Sequence, residues 1–118
     1  MPARPTVEDA RAMRWALSGL RSVRRQLRDA PVNRVHVRPP RRRAAVAERS
    51  VRWMLRQRHA SCLERALVLQ AWYSGQGTPR EVVIGVTSPE DFQAHAWLDG
   101  DAKCHEARFA EILRLSPR

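Results

Sequence analysis

The stretch Ser61-Cys62-Leu63-Glu64-Arg65-Ala66-Leu67-Val68-Leu69-Gln70-Ala71-Trp72-Tyr73 decides the fold. Wound into a helix, its apolar residues Leu63, Ala66, Leu67, Val68, Leu69, Ala71, Trp72 and Tyr73 fall on nearly every side, so that helix has to be enclosed by protein. Ser61, with Glu64 three residues on, reads as a capping box that starts the helix at Cys62, and Gly75 and Gly77 end it. Cys62 then holds the first helical position. The unpaired N–H groups and positive dipole end at such a position favour a thiolate over a thiol.

On the C-terminal side, Val82-Val83-Ile84-Gly85-Val86-Thr87 is a β-branched run, and Ser88-Pro89-Glu90-Asp91 is a turn signal. In Phe92–Leu98, Phe92, Ala94, Ala96 and Leu98 alternate with Gln93, His95 and Trp97, which predicts a strand. Asp99-Gly100 predicts a hairpin turn and a return strand through Ala102–Cys104. The tail Phe109–Leu115 is apolar enough to pack, with its type left open. On the N-terminal side, Thr6 and Asp9 form an N-cap pair, and Met13, Leu17, Leu20, Val23 and Leu27 follow at helical spacing, predicting a helix over 7–29. Residues 30–43 hold three prolines and five arginines and read as a linker or extended arm. A second helix over 44–58 can be drawn through Val46, Val51, Met54 and Leu55. The expected class is α+β: a Cys-headed buried helix on a small antiparallel sheet, with an N-terminal helical extension.

Composition narrows the function classes. The chain has 118 residues and a net charge of +10, with 21 Arg to a single Lys, Lys103. Residues 1–60 carry +12 and residues 61–118 carry −2, so all the excess is N-terminal. That half would bind phosphate non-specifically, yet its arginines are spread round two helices with few interleaved aromatics and no groove-reading motif, which argues against nucleic acid as the partner. An acidic partner surface or peptide, or simply a solvated face, fits the same charge. No run of eighteen apolar residues exists to span a membrane, and Glu8 and Asp9 disfavour a transit peptide, so a cytoplasmic location is expected. Cys62 and Cys104 are then expected as free thiols. Cys62, His95, Cys104 and His105 show no short metal-ligand spacing, so neither metal nor cofactor is expected.

Taken alone, Cys62 is a small buried apolar residue and His95 a strand histidine. A cysteine at a helix start followed by a histidine on a strand is, however, the layout of papain-like and transglutaminase-like thiol enzymes, completed by an acid that orients the imidazole. Of His36, His59, His95 and His105, only His95 falls in a well-defined element, on a strand face shared with Trp97. The Ser61–Trp72 string, Val83-Ile84-Gly85-Val86 and Ala94-His95-Ala96-Trp97-Leu98 together resemble the transglutaminase-like leader peptidase of lasso-peptide biosynthesis, the B protein in its split form. The resemblance covers about residues 50–115.

That resemblance implies a cysteine protease that removes the leader from a ribosomally made precursor peptide, with Cys62 as nucleophile and His95 as base. The family places its acid on the return strand, at a position held here by Ala107. The hairpin is shortened, which makes Glu106 the candidate and leaves Asp99 and Asp101 as alternatives. It also implies three partners: the precursor peptide, a separate leader-binding recognition protein, because residues 1–60 are too short and strand-poor for that module, and a macrolactam synthetase acting afterwards. The expected organisation is an Arg-rich helical extension and Pro-rich arm over 1–45 and a peptidase domain over 46–118. Transglutaminase-type acyl transfer is the nearest alternative activity, and a non-catalytic basic nucleic-acid-binding module is an alternative of another class.

Overall fold

A computed structural model describes residues 6–41, 47–87, 94–100 and 110–117. Three helices, α1 (Val7–Asp29), α2 (Ala47–Gln57) and α3 (Cys62–Gly75), precede three strands, β1 (Val82–Val86), β2 (Ala94–Leu98) and β3 (Ala110–Leu115). The strands form one antiparallel sheet in the order β2-β1-β3. The open-typed tail is thus a strand, and it pairs with β1. The expected return strand at 102–104 lies outside the described residues.

Helix α3 is buried from Ala66 to Tyr73 without interruption, as its all-round apolarity requires. β2 is the strand packed most closely on it, and α1 covers another side. The inner face of the sheet brings Val82, Ala96 and Leu98 into the core, with Ile84 and Leu115 packed against them. Gln70, itself buried, donates from Nε2 to the carbonyls of Arg80 (3.0 Å) and Leu115 (2.8 Å), which fixes this level of α3 against the Val82–Leu98–Leu115 end of the sheet. The chain then turns back at Gly77, whose φ of +81° suits glycine.

Helix α1 starts where Thr6 and Asp9 predict, with both halves of the capping box formed. Its buried face differs from the periodic reading. The fully enclosed residues are Ala12, Ala16, Leu20 and Val23, joined by Gly19, whereas Met13, Leu17 and Leu27 are only half-buried. Small side chains bring helix axes close together, so the tightest seam of α1 runs along its alanines rather than its largest residues. The expected boundary at residue 45 falls in 42–46, outside the described residues. On both sides of it the helices share one core: Ala12, Ala16, Leu20 and Val23 of α1, Val51 and Leu55 of α2, and Val68, Leu69 and Trp72 of α3.

Two polar contacts tie this assembly together. Asp9 is buried and accepts from the Ser50 hydroxyl of α2 (2.6 Å) and from the Thr6 N–H (2.8 Å), so the residue that caps α1 also joins it to α2. The extended arm of residues 35–41 runs back along α1, held by Trp15 Nε1 donating to the Arg38 carbonyl (3.0 Å) and by the Gln26 side chain, which bonds both the N–H and the carbonyl of His36. The arm ends on α3: a Cβ added at Gly75 would stand 2.5 Å from the Pro40 carbonyl oxygen.

The hydrogen bond from Ser50, followed by that from the Thr6 N–H, lowers the pKa of Asp9. A carboxyl whose folded-state pKa is lowered contributes stability above its unfolded value of about 3.9, and that contribution disappears as the pH falls through the lower folded value. Acid unfolding followed by circular dichroism is therefore expected to lose part of its pH dependence below about pH 4 in Asp9→Asn. Gly75→Ala is expected to destabilise the fold by about 1–3 kcal/mol in urea denaturation, because the methyl meets backbone that cannot yield cheaply.

Candidate functional site

The site is built on the start of α3. Ser61 has extended backbone (φ −67°, ψ 165°), and its hydroxyl accepts from the Glu64 N–H (3.2 Å) while the Glu64 carboxylate accepts from the Ser61 N–H (2.9 Å). The expected capping box is therefore formed, and Cys62 is the first helical residue. The Arg65 N–H takes the first intrahelical bond, to the Ser61 carbonyl (2.8 Å). That leaves the N–H groups of Cys62 and Leu63, which have no carbonyl one turn behind them, as the donors at the helix tip. Cys62 is a free thiol, half-buried against the core.

Glu64 has a second task. Its other carboxylate oxygen takes Arg24 Nε of α1 at 3.2 Å, and Arg24 Nη2 reaches on to the Arg58 carbonyl (2.9 Å). One arginine thus pins the start of α3 and the end of α2 to α1. It also offsets the negative charge that a capping glutamate would otherwise bring beside the cysteine. The turn between α2 and α3 is tight: the Ala60 N–H reaches the Leu55 carbonyl (3.0 Å), and His59 takes a left-handed φ of +52°. His59 closes α2 where glycine is the usual residue. His36 is exposed on the arm, its backbone bonded to Gln26.

His95 lies near the N-terminal end of β2, paired in register with Gly85 of β1. Its ring stacks on Trp97 at 5.9 Å between centroids, the shared face that the alternation predicts. This row alternates with Ala96 and Leu98, and on it Trp97 is buried and His95 half-buried. The other end of β2 is level with Gln70 of α3. Cys62 thus packs against the core from the tip of α3, while His95 and Trp97 alternate with the core residues Ala96 and Leu98 along β2.

Of the candidate acids, Glu106 and Asp101 lie outside the described residues, as do Cys104 and His105. Asp99 sits at the far end of β2, four residues and about 13 Å from His95, where its N–H bonds the Glu81 carbonyl (2.9 Å) and its carboxylate takes Arg114 Nη1 (3.2 Å). Arg114 also binds Glu111 (2.8 Å) and Glu81 (3.4 Å), which commits Asp99 to a structural cluster. Glu111 was not singled out in the sequence: it pairs with Gly85 from the side opposite His95, with no side chain between the two. Only the register of β3, set by a bulge beside Gly85, reveals it. Among the described residues no group of His, Cys, Asp and Glu could hold a metal ion, and no helix is long and apolar enough to cross a membrane.

Compared with known proteins, residues 6–114 match the sequence model described as the transglutaminase-like superfamily. No curated protein and no solved structure gives a significant match. The match begins at the N-cap of α1, so it takes in all three helices.

Ser61→Ala removes the acceptor of the Glu64 N–H at an exposed cap. It is expected to lower the unfolding free energy by about 1 kcal/mol in urea titration, with Ser61→Asp restoring most of the loss.

Proposed function

Because the chain belongs to the transglutaminase-like superfamily over residues 6–114, whose members are usually cysteine-dependent enzymes, we propose that it is a cysteine peptidase that removes the leader from a ribosomally made lasso-peptide precursor. The observation that carries this reading is the position of Cys62 as the first residue of the capped, buried helix α3 in a chain that matches the transglutaminase-like superfamily. A nucleophile there faces the substrate with two backbone donors beside it.

In this reading the Cys62 thiolate attacks the scissile carbonyl, and the oxyanion that forms is met by the N–H groups of Cys62 and Leu63. His95 carries the thiol proton to the departing amine, the leader–core bond breaks, and an acyl-enzyme remains. Water, deprotonated by His95, then releases the acid and restores the thiol. Glu106 is assigned the orienting role on the imidazole, as the family resemblance implies. The stacked Trp97 ring holds the plane of His95 from one side. A separate recognition protein would deliver the leader, and a macrolactam synthetase would use the freed core. Acyl transfer follows from the same acyl-enzyme if an amine takes the place of water.

The test is cleavage of a synthetic precursor by the full chain together with its leader-binding protein, read by mass spectrometry. Cys62→Ala and His95→Ala are each expected to lower cleavage by at least about 1,000-fold while leaving the melting temperature near that of the parent. Undiminished cleavage by Cys62→Ala would overturn the assignment. A product carrying an added amine, formed in preference to the acid, would move the activity to acyl transfer.

A further inference from the structure

Some of the described arginines are ion-paired and others are not. Arg11, Arg24, Arg52 and Arg114 are ion-paired with glutamates or aspartates. Arg14, Arg21, Arg25 and Arg28 on α1, and Arg38 and Arg41 on the arm, are exposed and make no ion pair among the described residues. These six lie along one side of the molecule, where the arm runs back beside α1.

Two shallow clefts of about 440 and 480 Å³ meet on this side, sharing Ser18 and Ser22 of α1. One is bounded by Arg14, Leu17, Arg21 and Arg25. The other lies between Trp15 and Gly19 of α1 and Val37, Pro39 and Pro40 of the arm, with Arg38 and Arg41 at its edge. Together they make a groove with an aliphatic and proline floor and a guanidinium rim. Arg14, Arg21 and Arg25 span eleven helical positions, about 16 Å, on one helix face.

We propose that this groove docks an acidic polypeptide segment, one whose carboxylates meet the unpaired arginines and whose apolar side chains enter the floor between α1 and the arm. Two observations favour a polypeptide over a nucleic acid. A single strand needs aromatic faces on which bases stack, and the aromatic side chain in the groove is committed: Trp15 donates to the Arg38 carbonyl and packs its ring 5.8 Å from Trp72. The floor is instead aliphatic, which a phosphate backbone cannot use. Guanidinium forks match carboxylates and phosphates alike in bidentate geometry, so it is the floor that selects the polypeptide. The assignment goes beyond the peptidase reading and holds whether or not Cys62 is a nucleophile.

The probe is a fluorescein-labelled twelve-residue peptide of alternating Glu and Leu, titrated with the full chain at about 150 mM salt and read by anisotropy. Arg21→Ala/Arg25→Ala is compared with Arg49→Ala/Arg56→Ala on α2, which removes the same charge from exposed positions outside the groove. The groove variant is expected to weaken binding by at least about tenfold and the α2 variant by less than about twofold, with both melting near the parent. Equal weakening by the two variants would reduce the effect to net charge and overturn the proposal. So would absence of peptide binding, or tighter binding of a twelve-nucleotide DNA or RNA strand than of the peptide.

Discussion

Helix α3 has no polar face, and the rest of the structure is arranged to cover it. Its run from Ala66 to Tyr73 is enclosed by α1, by the inner face of the sheet and by the arm that ends at Pro40. Apolar burial is the dominant favourable term in folding, and a helix apolar on all sides can satisfy it only with neighbours on all sides. The Arg-rich N-terminal half supplies one of those neighbours. The charge that distinguishes it stays on the outside of α1, while Ala12, Ala16, Leu20 and Val23 turn inward. Charge and core membership are therefore separate properties of the same helix.

Local chemistry was readable and distant chemistry was not. Both capping boxes, Thr6/Asp9 and Ser61/Glu64, are three-residue patterns whose physics is complete within the pattern, and both are formed. The bounds of α1 and the start of α3 follow for the same reason, whereas burial in β2 does not alternate, since Trp97 is buried together with Ala96 and Leu98. The second duties of these residues involve partners about forty positions away: Asp9 with Ser50, and Glu64 with Arg24. No periodicity reports such a pairing. The seam of α1 departs from the periodic pattern for a related reason, since hydrophobicity ranks Met13 and Leu17 above alanine, while close helix approach ranks them below it.

The candidate site was legible to the same extent. Cys62 could be placed at a helix tip because the cap is local, and His95 beside Trp97 because alternation is local. The role of Asp99 was open in the sequence, because the turn it shares with Gly100 does not say which charge it meets. Arg114 answers that from fifteen residues away. Glu111 became visible only through a bulge, an irregularity that shifts one strand by a residue and that no pattern of period two contains.

Arg24 joins the three helices at one point. It lies on the same helix as the unpaired arginines, yet it is turned toward the start of α3, where it holds the glutamate that caps the cysteine helix and the carbonyl that ends α2. A load on α1 from a bound partner would therefore reach the tip of α3 through this side chain as well as through the shared core. The helix that carries the docking charge and the helix that carries Cys62 share the alanine seam, which is rigid, and this polar clamp, which is half exposed. Anything that repositions α1 must either move α3 with it or break the clamp. The geometry at Cys62 is in this sense set by the N-terminal half as much as by the sheet.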